Sequence, residues 1–282
     1  MNISLKQPSA TTLVLLAILS VQFGSALAKS LFVDLGPWGV VTLRVTFSAL
    51  LLSGFLRLKW NAQVRQSAKL ILAFGATFAL MNSCFYLAID RIPLGVAIAV
   101  EFTGPLGLSV LKSQRWLDGI WAGLAAIGII LLTPLTGASI DPIGILFALI
   151  AGIGWALYIR CSAQLGQKLP GVEGLAWGLL VSTALLLPIG IATTGATLLN
   201  PWLLLLGFGV ALLSTTLPYS LEMIALRTMP INVFGVMMSV EPMVGAIAGF
   251  LILGETLSVR SLIACILVSI AAAGAARFKA AP

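Results

Sequence analysis

Two bases and three acids stand inside runs that are otherwise apolar: Lys29 and Arg44, then Glu101, Glu222 and Glu241. A charge near the middle of a bilayer costs about 2.5–3.5 kcal/mol on insertion scales, so several in one chain point to use. Their types are complementary. An arginine fork matches a carboxylate in bidentate fashion, and Lys29 is a second cationic candidate. Glu101 or Glu222 suits an ammonium. Together they fit a small zwitterion. The chain has no histidine, which leaves glutamate for any proton relay. Glu101, Glu222 and Glu241 are the candidates. Glu101 or Glu222 would hold the coupling proton in one state and the ammonium in the other. Plainer readings stand beside these. Lys29 can snorkel to the outer headgroups, and Arg44 can form a structural ion pair with a glutamate. Glu222 can pair with Arg227, and Glu241 can be a protonated packing group.

Each acid has a proline at hand. Pro105 follows Glu101 by four, Pro218 precedes Glu222 by four, and Pro242 adjoins Glu241. Proline leaves a carbonyl unbonded in the preceding turn and bends the helix, which membrane spans tolerate where a neighbour or cavity satisfies that group. Asn82, Tyr86, Trp155, Tyr158, Tyr219 and Ser239 are candidates to line the same cavity. For the Trp and Tyr residues the competing reading is an interfacial belt. Gly119-x3-Gly123 and Gly245-x3-Gly249 read as helix packing, and Asp118 and Glu255 as acids capping helix starts.

The elements that must carry these residues follow from composition. Of 282 residues, 60 % are hydrophobic and 9 % charged, with a mean hydropathy of +1.10. Soluble proteins average about a quarter charged. Sixteen basic and nine acidic side chains cannot coat a soluble domain of this length. That excludes an ordinary soluble enzyme, a secreted disulfide scaffold and a disordered chain. Cys84, Cys161 and Cys265 lie far apart and show no metal-ligand spacing, so neither metal nor cofactor is expected.

A span needs about 20 mostly apolar residues. Uncharged runs at 7–28, 70–89, 119–140 and 142–159 have that length, and 174–221 divides at Thr193-Thr194-Gly195 and Asn200-Pro201. With one charge allowed per span, ten helices are predicted near 10–33, 35–56, 68–90, 93–111, 117–136, 141–160, 173–193, 201–226, 231–253 and 258–277. Loops on the amino-terminal side hold Lys6, Arg57, Lys59, Arg65, Lys69, Lys112, Arg115, Arg160, Lys168, Arg227, Arg277 and Lys279. The opposite loops hold Arg91 and Arg260. By the positive-inside rule both termini face the cytoplasm, and an even number of spans requires them on one side. The first apolar run is read as an uncleaved span, since Lys29 stands where a signal cleavage site would need small residues.

A repeat runs through these spans. Ala88-x4-Pro93-x11-Pro105 matches Ala225-x4-Pro230-x11-Pro242 at an offset of 137, which also sets Asp118 on Glu255. Five spans separate the copies, so they are inverted. The predicted units are 1–137 and 138–282. Inverted repeats characterise secondary transporters, whose sites lie near the midplane between the halves.

The stretches Glu101-Phe-Thr-Gly-Pro105, Leu217-Pro-Tyr-Ser-Leu-Glu222-Met-Ile-Ala-Leu226, Met238-Ser-Val-Glu-Pro242 and Leu253-Gly-Glu-Thr-Leu257 resemble EamA-type proteins of the drug/metabolite transporter superfamily. Within it they are most similar to bacterial threonine/homoserine exporters, over nearly the whole chain. The resemblance implies two inverted five-helix repeats, the bacterial inner membrane, and export of small amino acids in exchange for protons. Another small metabolite, such as an aromatic amino acid or a drug-like amine, is the alternative cargo. A non-transporting membrane protein is the remaining one. No nucleophile with its base argues for an enzyme, no Gly-x4-Gly-Lys-[Ser/Thr] for a pump, and no polar rings for a channel. Lipid, protons and a zwitterion are the expected partners, and nucleic acid is not.

Overall fold

A computed structural model describes residues 9–105, 116–132, 141–229, 231–256 and 258–277. Lys6, Lys112, Arg115, Pro230, Leu257, Lys279 and the 137/138 boundary lie outside the described residues. So do residues 106–111 of the predicted span 93–111. The described residues form helices, turns and short connections, with no strand among them.

Helices α1 (Ala10–Ser30), α2 (Phe32–Leu56) and the short α3 (Ala62–Gln66) are followed by α4 (Ala68–Ile89), α5 (Leu94–Glu101) and α6 (Trp116–Leu132). Next come α7 (Pro142–Lys168), α8 (Glu173–Thr194), α9 (Pro201–Ala211) and α10 (Leu217–Ala225). The chain ends with α11 (Ile231–Met238), α12 (Glu241–Leu253) and α13 (Val259–Arg277). Among the described residues, six apolar segments are long enough to cross a membrane: α1, α2, α4, α7, Glu173–Leu199 and Pro201–Ala225. Leu94–Pro105, Gly119–Gly128, Glu241–Leu253 and Val259–Ala271 are shorter apolar helices.

The sequence sets the helix starts. Asp141 accepts from Ile143 N at 2.8 Å ahead of Pro142, and Asn200 accepts from Trp202 N at 2.9 Å ahead of Pro201. Both satisfy free helix N–H groups beside a residue that has none to satisfy. Asp141 also accepts from Arg91 Nη1 at 2.8 Å. That contact first, and the Ile143 amide second, hold its carboxyl below the usual carboxylate range.

Faces are sorted for a lipid solvent. On α7, Leu146, Leu149, Ile153 and Leu157 are exposed, while Ala148, Ala151, Trp155 and Tyr158 on the other side are buried. Apolar residues cover both faces, as a helix lying between lipid and protein requires. Helix α4 packs on α7 and α8, α2 on α8 and α9, α1 on α10 and α12, α5 on α7 and α12, and α6 on α13.

Three breaks fall at the acid–proline pairs. Glu101 ends α5, with Phe102 in a turn before the helix resumes at Thr103. Ser239 and Val240 form a turn, and Glu241 begins α12. These two acids therefore flank breaks and do not sit within continuous spans. Ahead of Pro218, residues Leu212–Thr216 make a π turn, closed by Leu217 N donating to Leu212 O.

Close helix approach supports the first break. A Cβ on Gly104 would run into the backbone of Gly152, and one on Gly152 into the Glu101 carbonyl. That carbonyl is the one Pro105 leaves without an N–H partner. Gly104→Val is expected to destabilise the protein by about 1–3 kcal/mol through overpacking, read as thermal unfolding in detergent. Gly54→Val, where nothing lies within 4 Å of an added Cβ, should lose clearly less. Of the glycine pairs, Gly245 and Gly249 do pack, against Ile98 and Glu255. Gly119 and Gly123 have nothing within 4 Å of an added Cβ among the described residues.

Candidate functional site

One internal cavity gathers residues from both halves of the sequence. It encloses about 50 Å³ between Gln22 and Ser25 of α1, Arg44 of α2, Asn82 of α4, Glu101 of α5, Trp155 of α7, Tyr219 and Glu222 of α10, and Glu241 of α12, with Val21, Met81, Phe85, Ile98 and Met238 as its apolar wall. That is well below ligand pockets, which run about 300–1,000 Å³; as it stands the cavity has room for a few water molecules.

Arg44 is its anchored cation. It is 1 % exposed. Its Nη2 donates to Ser214 O at 2.8 Å, its Nε to Thr215 Oγ1, and its guanidinium lies 5.2 Å from the centre of the Tyr86 ring. Ser214 O is the carbonyl that Pro218, four residues on, cannot bond. The proline thus makes an acceptor and the arginine fills it. Ser20 Oγ donates to Leu213 O at 2.6 Å, and Ser48 Oγ to Ala211 O at 3.1 Å, which ties the same π turn to α1 and α2.

The acids meet Arg44 in the cavity without pairing to it. Among the described residues, ion pairs are Lys29–Glu255 and Arg91–Asp141. Arg44 is thus in no structural ion pair there. Glu222 is 3 % exposed and not bound to Arg227, whose Nη2 donates instead to Gly171 O at 3.2 Å. Glu241 is 6 % exposed. Asn82 commits one amide hydrogen to Phe78 O at 2.8 Å, and Trp155 stands edge-on to Phe102 with ring centres 4.8 Å apart.

Four predicted residues lie outside the cavity wall. Lys29 Nζ is 2.7 Å from Glu255 Oε1 and donates to Ile92 O at 3.1 Å, so it is committed elsewhere. Tyr86 lies beneath Arg44. Tyr158 stacks with Phe74, Phe78 and Tyr219, behind the cavity. Ser239 is buried in the turn before Glu241. All three tyrosines are buried, none more than 8 % exposed, so they form no interfacial belt. Glu255 caps a different helix from the one it precedes, since Leu94 N at the start of α5 donates to its Oε2 at 3.0 Å.

Lys29→Met is expected to cost about 1–3 kcal/mol of stability, because it strips a partly buried carboxylate of its cation. Glu255→Gln, which retains an acceptor for Leu94 N, should cost less. Thermal unfolding of the two variants in detergent decides the order.

Sequence reasoning missed Gln22, Ser25 and Thr215. Gln22 and Ser25 are spaced i, i+3, on one face of a mostly apolar span, a signal that was present. The π turn was legible only as Ser-Thr-Thr ahead of Leu-Pro.

A helical chain with apolar spans around an internal, charged, proline-flanked cavity is a multi-pass membrane protein with a candidate site at its centre. The chain belongs to the EamA-like transporter family, whose model matches residues 142–277. It is 40 % identical over 260 residues to the threonine/homoserine exporter RhtA of Salmonella typhimurium (strain SL1344), covering 91 % of this chain and 88 % of that protein. The RhtA of Escherichia coli (strain K12) is also 40 % identical, over 255 residues, covering 89 % and 86 %. A solved crystal structure shares the fold, with a TM-score of 0.63 at 21 % identity over 94 % of this chain and 96 % of that one. The two RhtA proteins are exporters and not enzymes.

Proposed function

We propose that the protein exports small amino acids of the threonine/homoserine type across the bacterial inner membrane, in exchange for protons. The observation that carries the reading is the cavity itself. It sets a buried, unpaired arginine fork among three carboxylates, the complement of a zwitterion. The substrate carboxylate docks on Arg44. Its ammonium docks on Glu101 or Glu222. When substrate leaves, a proton takes the place of the ammonium on that carboxylate, so one cannot be carried while the other is held. Glu241, across the break in its span, belongs to the same proton-coupling set.

The architecture proposed with it is ten spans in two inverted repeats, 1–137 and 138–282, with both termini cytoplasmic. Helix packing supports this. Exchanging the first five spans for the last five turns the α4–α7 contact into that of α1 with α10. It also turns α5–α7 into α1–α12, and α4–α8 into α2–α9, while α2–α8, α5–α12 and α6–α13 map onto themselves. The break at Phe102 falls 137 residues before the one at Ser239. Discontinuous helices at the repeat interface are where transporters hold cargo.

Counterflow in proteoliposomes preloaded with unlabelled amino acid tests the assignment. Labelled threonine and homoserine are expected to accumulate above other amino acids. Failure of every amino acid in the panel, under any imposed pH gradient, would overturn it.

A further inference from the structure

We infer that Thr215 is a positioning residue for substrate, orienting the Arg44 guanidinium so that one edge is bound to the protein and the other is presented to the cargo carboxylate. The inference deepens the carrier reading and rests on it. Two donors of Arg44, Nε and one Nη2 hydrogen, face a single segment: Thr215 Oγ1 and Ser214 O. They occupy one side of the planar fork, and the fork cannot turn without losing both. Nη1 and the second Nη2 hydrogen, with the Tyr86 and Tyr219 side chains beside them, are then the pair left for a bidentate carboxylate contact.

The segment is built to stay put. Ser214 and Thr215 are 0 % exposed. Ser214 Oγ donates to Val210 O at 2.7 Å, while Ser20 from α1 and Ser48 from α2 bond the carbonyls on either side of the turn's first residue. A Cβ on Gly24 would strike the backbone of Leu213 and Ser214, so α1 lies directly against the turn. Pro218 supplies the free carbonyl and the π turn offers the hydroxyl one residue later. Without the proline, a regular α-helix would hold the Ser214 carbonyl in its axial ladder. π turns recur at functional sites for such reasons.

Thr215→Val removes the hydroxyl and keeps the shape; Thr215→Ser keeps the hydroxyl and loses the methyl. Two readouts apply to the full chain in nanodiscs or proteoliposomes. The first is the ¹⁵N-arginine spectrum, where the slowly exchanging Nε–H signal of Arg44 is identified by its loss in Arg44→Lys. The second is the threonine concentration that half-saturates counterflow. Thr215→Val is expected to abolish the slow exchange. It should raise the half-saturating concentration at least about tenfold, as loss of a hydrogen bond to a charged group implies, with the maximal rate changed less than about twofold. Thr215→Ser should match the unmodified protein in both.

An unaltered Nε–H signal in Thr215→Val would overturn the inference. So would unaltered half-saturation, or a Thr215→Ser as impaired as Thr215→Val, which would assign the effect to packing. Absence of threonine counterflow in the unmodified protein counts against the carrier reading alone, and the spectrum then decides the positioning contact by itself.

Discussion

Arg44→Gln is expected to raise the threonine concentration needed for half-maximal counterflow at least about 30-fold, with the folded protein still recovered from the membrane. Truncating one partner of a buried, hydrogen-bonded charge pair costs about 2–5 kcal/mol, and 2 kcal/mol is already about 30-fold in affinity. Glutamine is the informative replacement because its amide nitrogen takes the place of the arginine Nε, which donates to Thr215 Oγ1. The turn ahead of Pro218 also keeps its bonds from Ser20 and Ser48, and recovery of folded protein separates loss of transport from loss of fold. Arg44→Lys should fall between. A lysine carries the charge as a point, so it cannot hold Thr215 and Ser214 while presenting a fork. If Arg44→Gln transports threonine with ordinary half-saturation, the carboxylate is bound elsewhere.

Glu101→Gln is expected to abolish transport driven by a pH gradient while leaving the protein folded. The amide is isosteric with the acid. The packing beside it depends on backbone, with Gly104 against Gly152 and the Glu101 carbonyl against the same glycine. None of that contact needs the carboxyl. What the substitution removes is the one property the exchange requires, a group that holds either a proton or an ammonium. Glu222→Gln is the companion measurement, since its carboxyl lines the same cavity from α10. The variant that loses pH dependence identifies the coupling acid. Normal pH dependence in both would remove the exchange mechanism.

Much of this site was legible in the sequence because lipid makes charge conspicuous. Against a background of 9 % charged residues, a glutamate inside an apolar run stands out, and Arg44, Glu101, Glu222 and Glu241 do converge on one cavity. Lys29 looked the same in sequence and is different in space. Its partner, Glu255, lies more than two hundred residues away, and no local pattern reveals such a pairing. The prolines marked where spans would break, since a missing N–H is a local property. They did not reveal the form of the break. Glu101 and Glu241 flank interruptions in their helices, whereas the segment ahead of Pro218 absorbs its strain as a π turn. That choice depends on what a neighbouring helix can donate. Arg44 and Ser48, from α2, are distant in sequence. The tyrosines show the same limit: a Tyr in a span is read as interfacial until its surroundings are known, and all three here are buried.

The claim that cargo and proton exchange on one carboxylate is tested most directly by recording lumen pH while threonine moves. Proteoliposomes loaded with a pH-sensitive dye at equal internal and external pH would receive threonine on one side only. The expected result is a lumen pH change in the direction of proton movement opposite to threonine, absent when Glu101 and Glu222 are both glutamine. Threonine movement with no change in lumen pH, or an unaltered pH response in the doubly substituted protein, would contradict it.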